Sequence, residues 1–231
     1  MSVLQAVFFD FDGVIADTEP LHLRAYQAVL QADGIDLNKA EYYARYLGYD
    51  DVGLFDALAK DRHISLSDEK IDEWVAAKSS ILEEMLSSDS ILFPGAAACV
   101  RMFAERVPLA VASGALEPEI EFVLQHAGLR SSFTAIASAS DGVRGKPAPD
   151  LYLLAMAKLK DRLPGAIDPA ACIAIEDSRW GLEAAQRAGL RCVAVTHTYP
   201  AAELGKADLV VETLSDLTLS DIEALIRENP R

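Results

Sequence analysis

The chain has 231 residues, 51% of them hydrophobic and 25% charged, with a formal net charge of -15. This size fits one large domain or a core carrying an insertion. The acidity excludes a nucleic-acid binder, which needs a basic face, and demands local cations or a metal wherever an anionic substrate is to bind.

The first apolar run, Ala6 to Phe11, reads as a strand. It runs straight into Asp10-Phe11-Asp12-Gly13-Val14. Carboxylates are poorly tolerated in a core unless they are paired or metal-bound, so this stretch is either a surface turn or a site. Asp10 and Asp12 are two residues apart and point to the same side for as long as the strand continues. Gly13 permits a sharp backbone turn. With a strand expected from Val7, no signal peptide is expected ahead of it.

From about Glu19 to Asp89 no strand is predicted. Leu21 to Ala32, Lys39 to Leu47, Asp50 to Lys60 and Leu66 to Leu86 show helical spacing, with Ser67 as an N-cap for the last. Seventy or so helical residues are too many for a crossover and enough for a four-helix subdomain. Pro20 and Phe93-Pro94-Gly95 punctuate its junctions. The expected division is a core of residues 1–17 and 92–231 and a helical cap of residues 18–91.

Further strands are expected at Val107 to Ala112, Thr134 to Ser138, Ala171 to Ile175, Arg191 to Thr196 and Asp208 to Val211. They are short and apolar without polar alternation, the pattern of a parallel sheet covered on both faces. Between them Leu116 to His126, Pro149 to Lys160 and Gly181 to Ala188 read as helices, and Gly128 and Gly189 as helix stops. The expected fold class is therefore α/β, a doubly wound parallel sheet with an inserted helical bundle.

In such sheets ligands bind beyond the carboxyl ends of the strands. Those ends carry Asp10, Asp12 and Gly13, then Ser113-Gly114, then Gly145-Lys146-Pro147-Ala148-Pro149-Asp150, then Glu176-Asp177-Ser178. Read alone, each is a turn or a solvated charge. Together Asp10, Asp12, Glu176 and Asp177, with Ser113 and Lys146, place four carboxylates, a hydroxyl and a lysine on one sheet edge. Four acids at one place repel, and a hard divalent cation such as Mg²⁺ together with Lys146 would compensate them. The set suits phosphoryl transfer, with Asp10 as nucleophile and Asp12 as general acid and base. Lys146 and the metal would neutralise the transferring group, and Ser113 with backbone N–H groups near Phe11, Asp12 and Gly114 would hold its oxygens.

These four stretches, in this order and at these distances, resemble the four motifs of the haloacid dehalogenase-like superfamily. The helical insertion after the first resembles the C1-type cap of its phosphoglycolate phosphatase and β-phosphoglucomutase branch. The resemblance implies Mg²⁺ held by Asp10, the Asp12 main-chain carbonyl and Asp177, with Glu176 close by. It also implies Ser113 and Lys146 on the phosphate. An acid at position 12 separates the chain from true haloacid dehalogenases.

Thr18-Glu19-Pro20-Leu21-His22 resembles the hinge of this branch, where His22 either contacts Asp12 or substrate or serves the hinge alone. Within Tyr42-Tyr43-Ala44-Arg45-Tyr46-Leu47-Gly48-Tyr49-Asp50, tyrosines 42, 46 and 49 share a helical face. They either pack the cap or read the substrate, with Arg45 meeting an anionic group. Trp74 is read as cap core, Trp180 as helix packing or part of an entrance. His63, His126 and His197 are assigned surface or packing roles. Leu116 and Glu117 stand where β-phosphoglucomutase has a lysine and an asparagine, and its cap arginine has no clear counterpart. The favoured activity is thus a Mg²⁺-dependent phosphatase for a small phosphorylated metabolite, a sugar phosphate or a phosphoglycolate-like compound. The alternatives are a sugar phosphomutase and a non-enzymatic phospho-acceptor module.

Cys99, Cys172 and Cys192 are odd in number, lie in apolar runs and are expected to be buried reduced thiols. No apolar run approaches the roughly 18 residues of a membrane span. A cytoplasmic, monomeric enzyme is expected.

Overall fold

The computed structural model describes residues 3–47, 49–88, 91–163 and 165–227. The chain divides into two compact units, Met1–Asp17 with Ile91–Arg231, and Thr18–Ser90. Asp89, at the end of the expected helical stretch, and Gly48 lie outside the described residues.

The first unit contains a parallel sheet of β1 (Ala6–Phe9), β2 (Leu109–Ala112), β3 (Phe133–Ala137), β4 (Cys172–Glu176), β5 (Arg191–Val195) and β6 (Leu209–Val211). The spatial order is β3-β2-β1-β4-β5-β6. The chain winds outward from β1 to β3, then returns to the far side of β1 and continues to β6. The direction of winding therefore reverses between β1 and β4, and the crevice beyond their carboxyl ends is the natural ligand position. Register is fixed by Phe9 opposite Val111 on β2 and opposite Ile175 on β4.

Helices α1 (Glu19–Ala32), α2 (Lys39–Glu41), α3 (Asp51–Asp61) and α4 (Asp68–Ser88) belong to the second unit. The first carries α5 (Ala96–Ala104), α6 (Glu117–His126), α7 (Asp150–Lys160), α8 (Arg179–Arg187) and α9 (Leu219–Arg227). The alternation of β1 explains the packing. Phe8 meets Tyr152 of α7 edge-on at 6.5 Å, and Phe9 on the opposite face meets Phe103 of α5 at 6.3 Å and Phe133 at 5.8 Å. Under α7 and α8 the sheet presents mostly alanine, with Ala110, Ala135 and Ala174 all buried. Small residues there let the helices lie close, so truncating Phe8 to alanine would cost about 3–5 kcal/mol.

Helices α5 and α9 are additions to the sequence reading. α5 is almost uniformly apolar and lacks a polar start signal. α9 does have one, because Thr218 Oγ1 accepts from Asp221 N at 3.3 Å and Asp221 Oδ2 accepts from Thr218 N at 3.0 Å. Gly128 and Gly189 follow α6 and α8 with φ of 62° and 86°, the left-handed conformation that ends a helix.

The second unit has its own core. Leu23, Tyr26, Val29 and Leu30 of α1 pack with Leu54, Phe55 and Leu58 of α3 and with Trp74 of α4. Tyr42 and Tyr46 join this core, as one of the two sequence readings held. The helix expected over Lys39 to Leu47 is instead α2 continued by a single π turn, Tyr42–Tyr46. Tyr49 lies beyond that turn and is 52% exposed, so the three tyrosines do not share a face.

Candidate active site

The motif residues reach one edge of the sheet because the strands are in register. Phe9 opposite Ile175 sets Asp10 level with Glu176, and Phe9 opposite Val111 sets Ser113 level with Phe11 one strand away. Strand β1 stops at Phe9, sooner than the sequence suggests. The Phe11 carbonyl accepts from Ile15 N at 2.8 Å and Ala16 N at 3.0 Å, folding residues 12–16 into a tight loop. The continued-strand geometry for Asp10 and Asp12 is replaced by that turn. Gly13 makes it possible, with φ of 77° and a Cα so placed that a Cβ would lie 1.9 Å from Asp177 Oδ2.

Asp10 is buried and held at both oxygens. Oδ1 accepts from Phe11 N at 2.7 Å, and Oδ2 lies 2.7 Å from Lys146 Nζ. The Phe11 N–H, expected among the phosphate-holding groups, thus serves the Asp10 carboxylate. Lys146 also meets Glu176 Oε1 at 2.6 Å. Burial alone would pull the Lys146 ammonium down, but Asp10 and Glu176 outweigh it and hold the pKa raised.

Asp10, Glu176 and Asp177 offer carboxylate oxygens that all lie within 4.8 Å of one another. Burial, then the negative charge of Glu176, pushes Asp10 well above the usual carboxylate range, and the same two causes take Asp177 up to about 7. Three buried acids with one ammonium are short of positive charge. An all-oxygen donor set of this kind fits a hard divalent cation, which would restore the acids to their ionised forms. The Asp12 carboxylate is not part of that convergent group, although its charge is felt by Asp177.

Ser113 is buried, and its Oγ accepts from Ala115 N at 3.1 Å, which leaves the hydroxyl proton to donate. A side chain at Gly114 would meet open space, so this glycine is not required by crowding.

Sequence reasoning missed several supporting groups. Tyr152 Oη donates to Glu176 Oε1 at 2.6 Å, and Ser178 Oγ donates to Glu176 Oε2 at 3.3 Å. Ser178 also caps α8 by accepting from Gly181 N at 3.1 Å. Gly181 is obligatory, since a Cβ there would lie 2.0 Å from the Glu176 carboxylate. The signal for Ser178 and Gly181 was present as an N-cap pattern after β4. Tyr152 gave none, because a tyrosine within an apolar helix reads as core.

Two residues expected at the substrate have partners inside their own unit. His22 Nδ1 lies 2.9 Å from Lys78 Nζ, which also donates to Asp51 Oδ1 at 2.8 Å. Arg45 pairs with Asp61 at 2.6 Å and stands over the Tyr46 ring. Trp180 is 47% exposed and meets Tyr199 edge-on, which corrects the helix-packing reading. Trp74 is core, as expected.

A doubly wound sheet with an acid and lysine cluster at its reversal point is the setting in which the family match falls. The chain belongs to the haloacid dehalogenase-like hydrolases, whose family model matches residues 4–189. It is 33% identical over 204 residues to protein CbbY of Rhodobacter capsulatus, covering 85% of this chain and 87% of that protein. To hexitol phosphatase B of Escherichia coli K12 it is 32% identical over 226 residues, covering 94% and 96%. The crystal structure of CbbY from Rhodobacter sphaeroides in complex with phosphate matches with a TM-score of 0.82 at 27% identity, over 96% of this chain and all of that one. The chain is an enzyme of this hydrolase family. Among the described residues no helix is long and apolar enough to cross a membrane.

Proposed function

We propose that the enzyme is a Mg²⁺-dependent phosphatase acting on a small phosphorylated metabolite, a sugar phosphate or a phosphoglycolate-like compound, through an aspartyl phosphate on Asp10. The observation that carries this reading is the Asp10 carboxylate itself. It is buried at the end of β1, with one oxygen accepting from the Phe11 N–H and the other on Lys146.

Asp10 Oδ attacks phosphorus, a P–O bond to Asp10 forms, and the bond to the leaving alcohol breaks. Asp12 donates the proton that the departing oxygen takes. It then receives a proton from the water that attacks the aspartyl phosphate, releasing phosphate and restoring the Asp10 carboxylate. Lys146 and Ser113 stabilise the oxygens of the transferring group. Asp10, Asp177 and the Asp12 carbonyl would hold Mg²⁺, which would supply charge neutralisation at those oxygens. Glu176 is engaged by Lys146 and Tyr152, which makes it the anchor of the lysine. Because His22 and Arg45 are paired within their own unit, the proposed chemistry rests on the residues of the first unit alone.

The names of the relatives, hexitol phosphatase among them, support a phosphorylated carbohydrate as substrate. The test is phosphate release from a panel of hexitol, sugar and glycolate phosphates with and without Mg²⁺. Mg²⁺-dependent release that is abolished in Asp10→Asn is the expected result. An isomeric sugar phosphate without free phosphate, or full activity of the variant, overturns the reading.

A further inference from the structure

Strand β5 supplies none of the four motifs, yet the turn that follows it reaches both halves of the site. His197 Nδ1 lies 2.9 Å from the Gly13 carbonyl oxygen. A carbonyl only accepts, so Nδ1 carries the proton and donates. The imidazole is stacked on Phe93, with ring centroids 4.0 Å apart and planes at 14°. Phe93 in turn donates its N–H to the Ile15 carbonyl at 3.0 Å, and its neighbour Leu92 bridges to Ala16. The loop carrying Asp12 is therefore gripped at Gly13 by the histidine and at residues 15 and 16 by the returning segment.

The next residue faces the other way. The Thr198 side chain stands beside the Asp177 carboxylate. Its Oγ1 lies 3.0 Å from the point where a Gly13 Cβ would stand, with Asp177 Oδ2 at 1.9 Å from the same point. Gly13, Asp177 and Thr198 thus meet in a space with no room for another atom.

We infer that His197 and Thr198 are positioning residues that tie the loop bearing Asp12 to the carboxylate of Asp177. The role rests on the phosphatase reading, in which Asp12 and Asp177 act on the same phosphoryl group. It has a physical cause. Mutual repulsion of the acids would push the loop away from β4, and the His197 tie at Gly13 opposes it together with the contacts at residues 15 and 16. A displacement of about 1 Å at a proton-transferring group costs on the order of a hundredfold in rate.

The test is the series His197→Asn, His197→Phe and His197→Ala. Asparagine places an amide N–H near the position of Nδ1, whereas phenylalanine keeps the stack on Phe93 and removes the donor. Two readouts are taken. One is kcat and KM on the best substrate of the panel. The other is amide hydrogen exchange over residues 11–17 in the substrate-free protein, which is independent of any activity.

The phenylalanine and alanine variants are expected to lose kcat by about tenfold to a hundredfold at nearly constant KM. Their exchange over residues 11–17 is expected to rise by about tenfold, the equivalent of one net hydrogen bond. The asparagine variant is expected to stay within about threefold of the wild type in both. Wild-type kcat and exchange in His197→Phe overturn the inference, as does an equal loss in all three variants. A wild-type enzyme that releases no phosphate fails the phosphatase reading and leaves the exchange result to decide whether the tie exists.

Discussion

Tyr152 and Lys146 share one acceptor: the Tyr152 hydroxyl donates to Glu176 Oε1 at 2.6 Å, and Lys146 Nζ lies 2.6 Å from the same oxygen. Glu176 is fully buried, and its other oxygen takes Asp177 N at 3.2 Å. The glutamate is thereby fixed on both sides, and through it the lysine that faces Asp10. Burial, and then the charge of Glu176, raises the Tyr152 hydroxyl well above its ordinary value, so it stays a donor throughout the working pH range.

Replacing Tyr152 by phenylalanine deletes one donor to a buried carboxylate and little volume. The expected loss of stability is about 1.5–3 kcal/mol, the range for a hydrogen bond to a charged group. Lys146 should then be less well held, and kcat should fall with it. Urea denaturation of the variant measures the first effect and steady-state kinetics the second. Unchanged stability would mean that Tyr152 leaves the glutamate indifferent.

Metal removal should leave a distinct pH signature. Asp10 and Asp177 sit above their ordinary values when folded, because burial and the charge of Glu176 disfavour their ionised forms. A raised carboxyl binds its proton more tightly in the folded chain. Its stabilisation is complete below the unfolded value and is lost as pH rises through the folded value, about 7 for Asp177. The chelated protein should therefore unfold at lower urea near roughly pH 8 than near roughly pH 5.5. Millimolar Mg²⁺ should abolish the difference, and Asp10→Asn should raise the chelated protein's midpoint at alkaline pH. The exposed acids Asp33 and Asp221, whose values are lowered, act below the ordinary carboxylate range and do not mask the effect.

Two glycines make a controlled comparison. Gly181 has a conventional φ, but a methyl group there would collide with the Glu176 carboxylate, while Gly34 has φ of 73° and open space around it. Gly34→Ala should cost about 1 kcal/mol from backbone strain alone and spare activity. Gly181→Ala should cost more and lower kcat, since Glu176 has to move. Parallel thermal melts and assays of the two variants separate crowding from strain.

Burial pushes the thiols of Cys99 and Cys172 up to about 12. Neither should be alkylated by iodoacetamide in the native protein at mildly alkaline pH, and both should react once it is denatured. Mass spectrometry of the labelled peptides reads this directly.

Much of this architecture could be read in advance, for identifiable reasons. The strands were legible because buried parallel strands such as Cys172–Glu176 carry no polar alternation. The site was legible because acids at strand ends, as at Asp10 and Glu176, contradict the apolar runs before them. Helix α5 was not, because a uniformly apolar segment shows no period. Tyr152, His197 and Thr198 were hidden because their contacts are with neighbours distant in sequence. The tyrosine stretch misled because 3.6-residue spacing carries no warning that the helix ends at Leu47, before Tyr49.

The pairing of Ala16 with Leu92 bears on the ancestry of the chain. The inserted helical segment leaves the core and re-enters it at adjacent points, so the sheet closes on itself whatever lies between. A recombination event between those two positions would exchange one helical unit for another without disturbing the register of a single strand. The chemistry proposed for Asp10 is in this sense separable from the inserted unit, which can be substituted as a cassette.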